Sequence, residues 1–215
     1  LVISSNSGVA ELAQGLGLPW IAGPDLHTAN SWSVAAAGRQ GAAGAVLSRE
    51  LSGAQAAELC RAAEPLGMPL FIPVFGPILL MTTRQCLYRR SFGCATKVSD
   101  TVCRESCRRR GWITDEQGNR FLIVKRPGGW SELYNGALLS LPEAVGSFRK
   151  RNAGFLLDLR IDELTGSSVD GCAILEQFLK LVSGKRSVDE ARKRLRSLFP
   201  DQEALTRGNY KRGLN

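Results

Sequence analysis

An apolar run of four to seven residues followed by a helical stretch recurs about every twenty to twenty-five residues through the first third of this chain. That rhythm constrains the fold more than any other feature. The runs are Leu1 to Ser4, Leu18 to Ala22, Ala43 to Leu47 and Met68 to Val74. Between them, Val9, Leu12, Ala13 and Leu16 fall at helical spacing, Asn30 stands where it would cap a helix through Arg39, and Ala56, Leu59, Cys60 and Ala63 line one face of a helix from Ser52 to Glu64. Strands alternating with helices in this way predict βα units on a parallel sheet, with loops and site residues gathered where the strands end. Asp25, Glu50, Phe75-Gly76 and the cysteine-rich stretch after them are therefore expected on one common face.

Ala153 to Arg160 resumes the rhythm as a fifth strand after a helix opened by Leu141-Pro142. A complete eightfold barrel needs roughly 250 residues, so this chain of 215 can supply only part of one. The expected fold is α/β: a partial TIM-barrel-like parallel sheet with a cysteine-rich loop, a β-hairpin and a C-terminal helical extension. We place the first domain at residues 1–165, including a cysteine-rich insert at 84–126, and a basic helical extension at 166–215. Trp112 to Thr114 and Arg120 to Lys125, separated by Asp115-Glu116-Gln117-Gly118-Asn119, read as the hairpin, and Arg126-Pro127-Gly128-Gly129 as a turn. Asp170 to Ser183 reads as a helix with an apolar stripe of Ile174, Leu175, Phe178 and Leu181. Ser187 and Glu190 form a capping box for a last, basic helix.

Cys86, Cys94, Cys103 and Cys107 fall within twenty-two positions, four of the six cysteines in about a tenth of the chain. No basic leader precedes an apolar stretch, and the most apolar run, Met68 to Met81, is broken by prolines at 69, 73 and 77. A cytoplasmic protein with no membrane span is expected, and in a reducing compartment clustered cysteines bind metals more often than they form disulfides. The start at Leu1 reads as that of a fragment whose N-terminal half lies upstream. Thiolates are soft donors for zinc or an iron–sulfur cluster. Zinc sites pair cysteines two to four residues apart in each half. Here seven residues separate Cys86 from Cys94 and eight separate Cys94 from Cys103, which favours a cluster; zinc and simple reduced or paired cysteines stay open. Cys60 and Cys172 read as packing residues.

The formal net charge is +8. From Arg84 to Arg126 there are eleven Lys and Arg against four Asp and Glu, so this stretch supplies most of the excess. Arg84, Arg89, Arg90, Arg104, Arg108, Arg109 and Arg110, with Tyr88, Phe92 and Trp112 for stacking, are the candidate RNA contacts; a solvated basic surface is the alternative. The only histidine, His27, has no cysteine or serine partner in the sequence, so no protease dyad is readable.

Gly44 to Ser52, with Arg49-Glu50 at a strand end, resembles the strand-then-helix signature of the collagenase-like U32 peptidase family. Pro69 to Cys86 is similar to the family's strand leading to a cysteine, and Cys103-x-x-x-Cys107-Arg108 to its cysteine pair with a following basic residue. Leu133-Tyr134-Asn135-Gly136 and Leu157-Asp158-Leu159-Arg160 match looser features. Thr206-Arg207-Gly208-x-Tyr210-Lys211-Arg212-Gly213 is similar to the end of long members, the ribosomal RNA cytidine hydroxylases. The resemblance implies a TIM-barrel-like domain whose cysteines hold a [4Fe–4S] cluster supporting oxygen-independent hydroxylation, on RNA or in ubiquinone synthesis, with prephenate as a small-molecule partner in the RNA cases. It points to Glu50 as a catalytic residue. Where many members have His-Gly after the strand, this chain has Phe75-Gly76. A non-catalytic zinc- or cluster-stabilised RNA-binding module and a U32-type peptidase are the alternatives.

Overall fold

Four short strands lie side by side in chain order, each parallel to the next: β1 (Val2–Ser4), β2 (Trp20–Ala22), β3 (Gly44–Val46) and β4 (Leu70–Gly76). The computed structural model describes residues 1–95, 101–151, 153–162, 169–199 and 205–212, without the side chains of Val102 and Arg104. Helices α1 (Ser7–Gly15), α2 (Ser31–Arg39) and α3 (Gly53–Ala63) join these strands. Each starts at a polar side chain that accepts from an otherwise unpaired amide: Asn6 from Gly8, Asn30 from Ser33 and Ser52 from Gln55. The last two are reciprocal capping boxes. α3 buries Ala56, Leu59, Cys60 and Ala63, the face read from the sequence. α1 does not follow its pattern: Ala10 and Ala13 are buried, whereas Leu12 and Leu16 are 68% and 74% exposed. Small residues let this short helix lie close to the strands and leave its leucines outside.

β4 organises the sheet. Its Leu70 pairs with Ala45 of β3 and with Ala153 of β10 (Ala153–Leu157), so those two parallel strands occupy its opposite edges. Phe75 pairs with Leu157 of β10 and with Ser140 of β9 (Leu138–Ser140), so antiparallel β9 continues the edge that β3 begins. β11 (Leu205–Thr206) then adds in parallel to β9. The five βα-type strands expected from the rhythm are thus adjacent and parallel, in the order β1-β2-β3-β4-β10. Among the described residues β1 pairs only with β2 and β10 only with β4, so the sheet is open there and no closed barrel forms.

The hairpin is present as β6 (Arg110–Thr114) and β7 (Arg120–Arg126), but it belongs to a second, antiparallel sheet. β5 (Leu79–Thr83) and β8 (Trp130–Asn135) complete it in the order β5-β8-β7-β6. Pro77 interrupts the apolar run after β4, and the chain resumes as β5 in the other sheet. Among its described residues the cysteine-bearing segment holds two short helices, α4 (Leu87–Phe92) and α5 (Thr101–Glu105), where a loop was expected.

α6 (Pro142–Phe148), α7 (Gly171–Val182) and α8 (Val188–Ser197) pack against one another and share the main core with the parallel sheet. The buried Phe75 ring lies 5.8 Å from Phe178 and 6.2 Å from Phe199. On α7, Ile174, Phe178 and Leu181 are buried as expected, with Gln177 beside them, and Leu175 is exposed. Cys60 is buried, but Cys172 is exposed at the start of α7, so it is not a packing residue. No helix among the described residues is long and apolar enough to cross a membrane.

A candidate active-site cleft and the cysteine segment

Where the parallel strands end, the second sheet closes over them and leaves a cleft of about 370 Å³. Pro24 and Asp25 line it from the end of β2, Arg49 from the end of β3, and Pro77 from the end of β4. Leu79 of β5 and Tyr134 of β8 form the roof, and residues 156–160, from the end of β10, form the far wall. A volume of this size, at the carboxyl ends of parallel strands, is where α/β proteins bind small molecules.

Asp158 anchors the far wall. Its amide donates to the carbonyl of Phe75 at 2.9 Å, extending the β4–β10 pairing by one residue. Arg160 holds its carboxylate in a fork, Nε to Oδ1 at 2.9 Å and Nη2 to Oδ2 at 2.6 Å. Burial pushes the Asp158 pKa up, but the hydrogen bonds from Arg160 and the charges of Arg160 and Arg49 outweigh it and hold the carboxyl below its usual value. Gly76, at φ +132, faces this residue; a Cβ there would stand 2.6 Å from the Asp158 Cβ and 2.7 Å from its carbonyl oxygen. Only glycine lets β4 end against Asp158.

The roof has its own polar network. The Tyr134 hydroxyl donates to Glu132 Oε2 at 2.8 Å, and Arg126 Nε donates to the same oxygen at 2.6 Å. Burial is the main cause that pushes the Tyr134 pKa up to about 12, so its hydroxyl stays a donor.

Glu50, the catalytic candidate, is exposed in the turn after β3, and its neighbour Arg49 lines the cleft instead. Asp25 lines it as the expected common face requires. His27 is exposed with φ 50, in the left-handed region.

Cys86 and the helix it caps, α4, lie on the opposite side of the small sheet from the cleft roof, not on the common face expected for the cysteine stretch. Register places Trp112, Leu122, Tyr134 and Trp130 on one face, and Gly111, Ile123, Lys125 and Ser131 on the other. α4 covers the second face: a Cβ on Gly111 would strike the Phe92 ring, and the Leu87 amide donates to Ser131 Oγ at 3.2 Å. Cys86 caps α4, its Sγ accepting from the Arg89 amide at 3.4 Å. Arg109 Nη1 donates to Cys94 Sγ at 2.8 Å, and its guanidinium lies 5.8 Å from the Tyr88 ring. Cys103 and Cys107 are half-buried. Among the described residues no three His, Cys, Asp or Glu side chains stand together closely enough to hold a metal ion. The donors fit a thiolate-bound group in kind, four soft sulfurs with N–H donors at two of them, though they are not drawn together.

The candidate RNA contacts divide between the two faces. Arg84 stacks 4.4 Å from the exposed Trp130, and Arg120, which the sequence reading did not name, stacks 4.5 Å from Trp112. Arg109 stands with Tyr88 on the α4 side, where Tyr88 and Phe92 pack at 4.7 Å. Arg89, Arg90, Arg108 and Arg110 are exposed, and the Arg104 side chain lies outside the described residues. Lys125, which counted toward the basic excess, is 3% exposed behind α4 and presents no charge at the surface.

A family model described as Peptidase family U32 matches residues 1–141. The chain belongs to the U32 family. The match spans β1 to β9 and so takes in the small sheet, all four clustered cysteines and most of the cleft. It stops before Asp158, α6 to α8 and the C-terminal tail. No curated protein and no solved structure matches the chain.

The sequence reading missed Arg49, Tyr134, Asp158 and Arg160 as site residues. All except Tyr134 follow a βα-type strand, the signal that would have found them; Tyr134 reaches the cleft only because a second sheet folds over the strand ends.

Proposed function

We propose that this U32-family chain is part of an iron–sulfur protein that supports oxygen-independent hydroxylation of RNA. One observation carries the reading: Arg109 donates to the Cys94 sulfur and also lies over Tyr88, which joins the thiol segment to a basic, aromatic surface. Cys86, Cys94, Cys103 and Cys107 would hold a [4Fe–4S] group, with zinc as the alternative, and the arginine–aromatic pairs would bind single-stranded RNA by charge and stacking. When bound, an iron–sulfur group supplies one-electron chemistry. A prephenate-type molecule is the proposed small partner, and a TIM-barrel-like whole is completed by chain outside these residues. Anaerobic purification followed by iron, sulfide and zinc analysis tests the group; a colourless protein with one zinc per chain excludes the cluster and leaves the non-catalytic RNA module.

Peptidase activity is the second reading, favoured by the description of the matching family. Hydrolysis of a gelatin or peptide substrate that survives replacement of all four cysteines by serine would establish it over the first.

A further inference from the structure

The charges around the cleft point to a ligand that neither the cysteines nor the RNA reading requires. Two cations and two anions line it: Arg49 and Arg160, Asp25 and Asp158. Arg160 and Asp158 neutralise each other through their two-point contact. Asp25 and Arg49 make no ion pair and no side-chain hydrogen bond, with each other or with any other group among the described residues. The Asp25 backbone is held at the end of β2 by its amide, which donates to Ser5 Oγ at 3.2 Å, and by the turn begun at Pro24, and the residue is exposed at the cleft mouth. Arg49 is half-buried at the end of β3, where its charge acts on Asp158. Between these groups the walls are apolar: Pro77, Leu79, Leu156, Leu157 and Leu159.

We infer that the cleft binds a small zwitterion with an apolar body, of the free α-amino acid class, its carboxylate on Arg49 and its ammonium on Asp25. A guanidinium is suited to a carboxylate and an unpaired carboxylate to an ammonium. One ligand of each sign satisfies both and leaves the cleft neutral. A simple anion would satisfy Arg49 but leave Asp25 facing it with like charge. A dianion of the prephenate type meets the same repulsion more strongly, so this site is distinct from the one such a molecule would use, and it depends on neither the cluster nor RNA.

Calorimetric titration of the full chain with L-phenylalanine, N-acetyl-L-phenylalanine, L-phenylalaninamide and phenylsuccinate tests this. L-phenylalanine is expected to bind, with both blocked derivatives and the dicarboxylate weaker by about tenfold or more, the loss of one charge-assisted contact. Arg49→Gln should abolish discrimination against the amide while keeping that against the N-acetyl form; Asp25→Asn should do the reverse. Circular dichroism checks that each variant folds. If Arg49→Gln does not, Arg49→Lys keeps the cation and should keep the discrimination. Absence of heat with L-phenylalanine, equal binding of free and blocked forms, or tighter binding of phenylsuccinate overturns the inference.

Discussion

Three residues around the cleft show how single side chains set the geometry of its walls. Gly76→Ala combines a left-handed backbone angle with a Cβ 2.6 Å from Asp158, and should cost about 2–4 kcal/mol of stability, read from the shift of a urea midpoint. Arg160→Ala removes the fork that depresses the Asp158 pKa. A carboxyl depressed in the folded state adds stability above its unfolded pKa of about 3.9 and loses it as pH falls through the folded value. The variant's acid-unfolding limb should therefore move to higher pH, and an unchanged limb would show that the fork contributes nothing to folding. Tyr134 runs the other way. Its folded pKa of about 12 keeps the proton on while an unfolded tyrosine loses it near pH 10, so stability falls as pH rises above about 10. Glu132→Gln removes a neighbouring negative charge and should lower the Tyr134 pKa in an ultraviolet phenolate titration.

At the scale of elements, legibility followed the kind of neighbour each element has. α3, α7 and α8 were readable because caps and stripes are local: Ser52, Asp170 and Ser187 each accept from the expected amide. Ser187→Ala should cost about 1 kcal/mol in thermal or urea unfolding, and Phe178→Ala about 3–5 kcal/mol, because its ring is packed against Phe75 in the shared core. β5, β8 and β9 were not read as strands. β9 is three residues long, and β5 and β9 pair with strands far away in sequence; β8 is a local miss, since it pairs with β7 across the turn at Pro127-Gly128-Gly129. The inward face of α1 was misread because alanines, not leucines, sit against the strands. Asp158 and Arg160 were visible only as the end of a strand, since the cleft exists through the folding of one sheet over the other.

Across the whole molecule, the small sheet is clamped between two roles: one face roofs the cleft with Leu79 and Tyr134, and the other carries α4 and two of the clustered cysteines. Its arginine–aromatic pairs stand on both faces, Arg84 and Arg120 on the side of Trp130 and Trp112 and Arg109 on the α4 side. Replacing Arg108, Arg109 and Arg110 together by Ala should weaken binding to single-stranded RNA and reduce the slope of log affinity against log salt by about 2, if each meets one phosphate; an unchanged slope would remove these residues from the interface. The pairing of β11 with β9 has a consequence for synthesis. β9 borders the last residues of β4, and among the described residues its outer edge is filled by 205 and 206, with the Tyr210 carbonyl accepting from the Gly53 amide at the start of α3 at 2.7 Å. A growing chain on the ribosome thus holds that edge open until these residues leave the exit tunnel, and a stalled chain extended after Ala204 by a linker long enough to clear the tunnel should be more open to protease than one extended in the same way after Asn215.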